Sequence, residues 1–193
     1  AVAFCCLMSF AFLFVWLQPV NSLAVSNSQN TLVPTVTPFA GGGKIAFPRG
    51  HDTAPHEIYI MNSDGSDQTN LTNDAASDTH PAFRPDGKRI AFQTDRDGNN
   101  EIYVMSSDGS NLVRLTNNTA GDFQPNFSGD GSRITFTSNR DGNPEVYVMN
   151  ADGSNATPLT NNPAIEENPA FSPDGSLIAF TSERDSPPGG FPR

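Results

Sequence analysis

The chain has 193 residues, a length that suits one domain better than two. Its 11 Lys and Arg against 21 Asp and Glu leave a net charge of −10, which repels phosphate backbones and anionic lipid and sets nucleic-acid and polybasic membrane binding aside. With 16 Gly, 16 Pro and 19 Asn the chain holds too many turn-formers for a helical bundle, and many short strands joined by tight turns are expected instead.

Residues 1–17 (AVAFCCLMSFAFLFVWL) are apolar apart from Ser9, and no charged residue precedes Lys44. Ser22 and Ala24 then give the small-x-small spacing of a signal-peptidase site. Residues 1–24 are therefore read as a signal peptide cleaved after Ala24, in preference to the alternative of a retained N-terminal membrane anchor, and the mature protein is expected outside the cytoplasm, periplasmic or secreted. The two cysteines, Cys5 and Cys6, are adjacent in this segment and can supply neither a disulfide framework nor a four-thiolate zinc site. Residues 25–43 mix Ser, Thr, Asn, Pro and Gly without a period and read as a linker.

From residue 45 the chain repeats itself. The 44 residues from Ile90 align without a gap to those from Ile134, with 25 identical positions. Glu57, Glu101 and Glu145 keep the same step, as do Leu71, Leu115 and Leu159, Pro81, Pro125 and Pro169, and Phe83, Phe127 and Phe171. This gives repeats at 45–89, 90–133 and 134–177, with the start of a fourth at 178–193. Asp-Gly recurs at 86–87, 97–98, 108–109 and 130–131. Read as two-residue hairpin turns, these predict four antiparallel strands per unit, around Ala82–Phe83, Ile90–Thr94, Glu101–Met105 and Val113–Leu115. The run Glu101–Met105 (EIYVM) does not alternate apolar with polar, which predicts a sheet buried on both faces. Four-stranded sheets stacked face to face at this period make an all-β fold, a β-propeller with about three blades present.

The stretch from Pro169 to Asp185 (PAFSPDGSLIAFTSERD) and its continuation pattern at 145–154 (EVYVMNADGS) resemble the WD-like repeat of TolB-type propellers. The resemblance covers residues 45–185, although the only Trp is Trp16 and the first copy replaces Arg-Asp-Gly with residues 50–55 (GHDTAP). It implies a propeller that docks other proteins in the bacterial cell envelope. Propellers of this kind close rings of about six or more blades. Bare sheet faces at the ends of three copies are therefore expected to promote self-association, aggregation or continuation in a longer chain.

Several residues invite a sharper reading. Asp95, Asp97, Asn99 and Glu101, with the equivalent Asn139, Asp141, Asn143 and Glu145, alternate like the opening of a calcium loop. Counting from Asp95, however, the sixth and twelfth places hold Asn100 and Ser106 where an EF-hand needs Gly and Glu. A structural turn is preferred: Asp97 caps its own turn, Gly98 takes positive φ, and Arg96, Arg140 and Arg184 pair with acceptors between blades. Calcium is the lesser alternative, and no cofactor or metal is otherwise expected. His51, His56 and His80, with Asp52, could bind zinc if their loops met, but read as surface-loop histidines. Tyr59, Tyr103 and Tyr147 read as core between blades, with the hydroxyl at one edge.

No Gly-x-Ser-x-Gly elbow, P-loop, dinucleotide fingerprint or His-Glu-x-x-His is present, and the carboxylates sit in repeat-equivalent positions without the asymmetry a glycosidase needs. No catalytic residue is assigned. The expected function is a non-enzymatic exported scaffold with a protein partner. The alternatives are the propeller portion of a prolyl-oligopeptidase-like or tricorn-like peptidase, and a lyase or sugar-binding propeller.

Overall fold

The computed structural model describes residues 43–50 and 55–185, and the expectations for residues 1–42, His51, Asp52 and 186–193 lie outside them. The described residues form thirteen strands and no helix. Two complete sheets are antiparallel meanders of four. One comprises β4 (Asp78–Phe83), β5 (Arg89–Thr94), β6 (Glu101–Ser106) and β7 (Val113–Arg114). The other comprises β8 (Asp122–Phe127), β9 (Arg133–Ser138), β10 (Glu145–Asn150) and β11 (Thr157–Pro158). Before them β1 (Lys44–Arg49), β2 (Glu57–Asn62) and β3 (Thr69–Asn70) make a three-stranded sheet. After them β12 (Glu166–Phe171) pairs with β13 (Ile178–Ser182) alone.

This is the β-propeller meander, and the four strands of a unit fall where the turns place them. The sheets are out of phase with the sequence repeats. The repeat 90–133 contains strands β5, β6 and β7 of one sheet and then β8, the innermost strand of the next. Each repeat thus reaches across a sheet boundary, and the link after β7 ties neighbours covalently.

Two-sided burial explains the unbroken apolar runs. Along β5 and β6, Ile90, Phe92, Tyr103 and Met105 face the preceding sheet, where they pack with Ile58, Ala46 and Ile60. Ala91, Ile102 and Val104 face the following sheet and pack with Ile134, Phe136, Tyr147 and Met149. Every residue of Glu101–Met105 is buried, because its two pleat faces meet two different neighbours.

The turns are built differently from the sequence expectation. They are not two-residue hairpins with both central residues at positive φ. In the Pro85-Asp86-Gly87-Lys88 loop Gly87 alone is left-handed, at φ 69°, and its N–H donates to Arg84 O at 2.8 Å. Pro85 holds φ negative at the first corner, so the chain takes a longer loop around a type I-like turn. Between β5 and β6 the loop spans 95–100, with Thr94 opposite Glu101 and Gly98 at φ 101°.

The innermost strands carry a bulge that the apolar pattern does not reveal. The register of β4 on β5 shifts between Thr79 and Ala82, and the same shift occurs in β8 and β12. The bulged residues His80, Gln124 and Asn168 have φ of 52°, 54° and 54°, each followed by the proline of the repeat. Proline lacks the ladder donor and the bulge removes the need for one.

Gly142 has φ 106° and nothing within 4 Å of a built Cβ, so only backbone conformation opposes a side chain there. Gly142→Val is expected to destabilise the fold by about 1–3 kcal/mol, read by urea unfolding. An unchanged midpoint would contradict the left-handed turn.

Candidate functional site

The chemically capable side chains gather at the end of each sheet where the β5–β6 hairpin, or its equivalent, meets the start of the inner strand. There Asp78, Asp122 and Glu166 open β4, β8 and β12, each with no solvent exposure. An arginine from the hairpin covers each one. Arg96 Nη2 lies 3.1 Å from Asp78 Oδ1, Arg140 Nη2 lies 3.0 Å from both oxygens of Asp122, and Arg184 Nη2 lies 3.0 Å from Glu166 Oε1. The pairing is within a sheet and not between blades as the repeat suggested, because the inner strand and the hairpin belong to the same meander. The guanidinium groups also lie over aromatic rings, Arg140 at 4.6 Å from the Tyr147 centroid and Arg96 at 5.0 Å from that of Tyr103.

A second carboxylate starts each central strand, buried at Glu101 and Glu145 and half-buried at Glu57. Glu101 has no exposure and accepts from Thr116 Oγ1 at 2.5 Å, Asn118 N at 3.0 Å, Arg114 Nη2 at 2.9 Å and Asn99 Nδ2 at 3.1 Å. Thr116 Oγ1 in turn accepts the Ile102 N–H at 2.9 Å. Burial works to raise the pKa of Glu101, but these donors outweigh it and hold the carboxyl below its ordinary range. Glu57 repeats the arrangement with Thr72 Oγ1 at 2.5 Å and Asp74 N at 3.0 Å. In the third copy Pro158 stands where Arg114 does, and Glu145 Oε2 has no partner.

These bonds account for the alternating acidic and amide residues. Asp95 Oδ1 accepts the Ser77 N–H, and the Asn99 amide donates toward Asn118 O at 3.2 Å and toward Ala120 O. Asp97 does not cap its own turn. It accepts from the Tyr103 hydroxyl and lies 3.0 Å from Arg114 Nη1, while the turn closes through Gly98 N–H to Asp95 O. Burial first, and then the Asp97 bond, push the Tyr103 hydroxyl up to about 12, and Tyr147 with Asp141 reaches about 12 in the same way. Both tyrosine rings are core between sheets with the hydroxyl at one edge. The aspartates that do cap their own turns are those of the other Asp-Gly pairs: Asp108 Oδ1 accepts Ser110 N–H at 2.9 Å, and Asp152 does so from Ser154.

His56 and His80 are exposed, and His80 Nδ1 lies 3.2 Å from Thr79 Oγ1. Among the described residues no group of three His, Cys, Asp or Glu is placed to hold a metal. At the inner bulges, side-chain amides bridge successive sheets: Gln124 N–H donates to Gln93 Oε1, and Asn168 N–H to Gln124 Oε1, both at 3.0 Å. Sequence reasoning missed these residues, although the x-Pro pairs at 80–81, 124–125 and 168–169 mark their places.

The TolB beta propeller domain model matches residues 15–122 and 117–191. The chain belongs to this family. Among solved structures, a TolB-type protein from Agrobacterium tumefaciens is 28% identical, with a TM-score of 0.68, over 73% of this chain and 50% of that one. TolB from Acinetobacter baumannii is 27% identical, with a TM-score of 0.65, over 73% of this chain and 35% of that one. Dipeptidyl-peptidase 5 from Porphyromonas gingivalis is 32% identical over 88 residues, which are 45% of this chain and 12% of that protein. The chain therefore spans half or less of the length of each of these three proteins.

Within this TolB-family chain one network position departs from its equivalents. Asn118 Nδ2 donates to Asp122 Oδ2 at 2.7 Å and Asn162 Nδ2 to Glu166 Oε1 at 2.9 Å. Asp74 occupies the same place beside Asp78, so two carboxylates share Arg96, at 3.0 and 3.1 Å. Burial dominates at Asp78 and raises its carboxyl above the ordinary value, against the bonds from Thr94, Thr72 and Arg96. Asp74→Asn restores the amide donor at the loss of a half-exposed ion pair, which contributes little. It is expected to stabilise the protein by about 0.5–1.5 kcal/mol and to lower the Asp78 titration midpoint, read by denaturant unfolding and carboxyl NMR. Destabilisation would contradict this account.

Proposed function

We propose that this chain is a non-enzymatic, exported TolB-like propeller that acts as a protein-docking scaffold in the cell envelope. The observation that carries the reading is the use of the repeated carboxylates, arginines and tyrosines. Among the described residues most of these groups bond to one another or to nearby backbone groups, which suits a rigid platform. The TolB-type relatives, at 28% and 27% identity, support a propeller of this kind. Exposed polar residues on the inner strands, His80 and Asn168 among them, give that platform a face for a protein partner. The negative balance of the chain disfavours nucleic acid.

A second reading rests on the match to dipeptidyl-peptidase 5: the propeller portion of a peptidase. Sequence downstream of residue 193 separates the two, since further repeats favour the scaffold and an α/β-hydrolase domain favours the peptidase.

The scaffold reading predicts that the chain expressed with its own N-terminus in a bacterium is recovered outside the cytoplasm beginning near Val25. A photo-crosslinker at His80 is expected to give one discrete adduct with an envelope protein. Retention in the cytoplasm would refute export, and crosslinking to no protein would refute docking at the inner strands.

A further inference from the structure

One place in the polar network is built twice and filled once. In the β4–β7 sheet the guanidinium of Arg114 joins the β5–β6 hairpin to the link that follows β7. Its Nη2 donates to Glu101 Oε1 at 2.9 Å, its Nε donates to Thr116 O at 2.7 Å, and its Nη1 lies 3.0 Å from Asp97 Oδ2. Three oxygens from three segments thus meet the three nitrogens of one planar group.

The β8–β11 sheet rebuilds this frame without the occupant. Pro158 pairs with Tyr147 where Arg114 pairs with Tyr103. Asp141 accepts from the Tyr147 hydroxyl as Asp97 does from that of Tyr103. Glu145 Oε1 accepts from Asn162 N at 2.8 Å and from Asn143 Nδ2 at 3.1 Å, and the same bonds to Glu101 measure 3.0 and 3.1 Å. Thr160 Oγ1 accepts the Val146 N–H at 2.8 Å, as Thr116 Oγ1 accepts that of Ile102 at 2.9 Å. Asp141, Glu145 and Thr160 therefore stand as Asp97, Glu101 and Thr116 do around Arg114. All of them belong to one full meander and the link that leaves it.

Two observations mark the place as open to a ligand. Glu145 is 1% exposed and its Oε2 has no partner, and among the described residues no cation pairs with it or with Asp141. A buried carboxylate that has lost its arginine is left with uncompensated charge. The second observation is access. Thr116, beside Arg114, is buried, whereas Thr160 is half-buried and both Asp141 and Pro158 are exposed.

We propose that Asp141, Glu145 and the Thr160 carbonyl form a receptor for one arginine side chain presented by a partner protein. A guanidinium suits the site because the equivalent three acceptors hold one in the neighbouring sheet. A lysine ammonium is a compact point charge without the planar fork that meets such a set. The chain's net charge of −10 favours a basic partner. This contact lies at the outer strand β11 and stands apart from docking at the inner strands. A crosslink at His80 reports on that docking alone.

The test uses the full chain with its three tyrosines labelled with carbon-13 and followed by NMR. The probe is the acetylated peptide Gly-Ser-Arg-Ser-Gly at millimolar concentration, with the lysine analogue as control. The arginine peptide is expected to shift the Tyr147 ring resonances saturably and to leave those of Tyr103 in place. Pro158→Arg supplies the guanidinium in cis and is expected to abolish the response. Asp141→Asn, at an exposed position, is expected to weaken binding about tenfold, the loss of one charge-assisted bond. No saturable shift at Tyr147 would overturn the proposal. An equal response to the lysine peptide would also overturn it, since general attraction of charge would then suffice. So would an unchanged response in Asp141→Asn or in folded Pro158→Arg, because the arginine would then bind elsewhere.

Discussion

A carboxylate removed from all contact with water is stable only when charge and hydrogen bonds replace the hydration it has lost. Among the described residues this chain places such acids at two positions in each of its two full meanders. One buried acid opens the inner strand and is held by an arginine from the neighbouring hairpin. The other opens the central strand and gathers the link to the next sheet around it. The apolar contacts between sheets are strong but non-directional, and would allow one twisted sheet to slide over the next. The acids remove that freedom. Each fixes a strand end to a loop at a defined register, and the loop belongs to the chain that leads onward.

Most of the architecture could be read before any coordinates. The 44-residue step, the Asp-Gly pairs and the apolar run at Glu101–Met105 each carry a local physical demand, and together they admit the stacked meander. What escaped the reading depends on contacts between distant residues. Asp97 next to Gly98 has the pattern of a self-capping turn, yet its carboxylate is taken by Tyr103 and Arg114, which are brought close only when β6 and β7 pair. The arginines were legible as ion-pair donors, but their partners were placed in the wrong sheet. The repeat frame hides the fact that Asp78 and Arg96 belong to one meander. The inner-strand bulges were hidden because His80, Gln124 and Asn168 share a backbone conformation and not a residue type.

The same observations separate fold from function. Repetition makes the family membership secure, since the family model matches twice along the chain. It also uses up the reactive groups: a residue required at the same place in every unit is there for the unit. A residue with another purpose should differ between copies. Asp74 in place of Asn, Arg114 in place of Pro158, and the varied His80, Gln124 and Asn168 are such differences. The last three lie on adjacent inner strands at the bulges.

The claim that buried acids set the register is tested most directly by a double-mutant cycle on Asp122 and Arg140, where both carboxylate oxygens lie 3.0 Å from one guanidinium nitrogen. Asp122→Asn, Arg140→Gln and the double variant would be compared by denaturant unfolding. The account predicts a coupling of about 1–3 kcal/mol, with the double variant more stable than the sum of the single losses implies. Additive losses within about 0.5 kcal/mol would contradict it, because the pair would then be a bystander to apolar stacking.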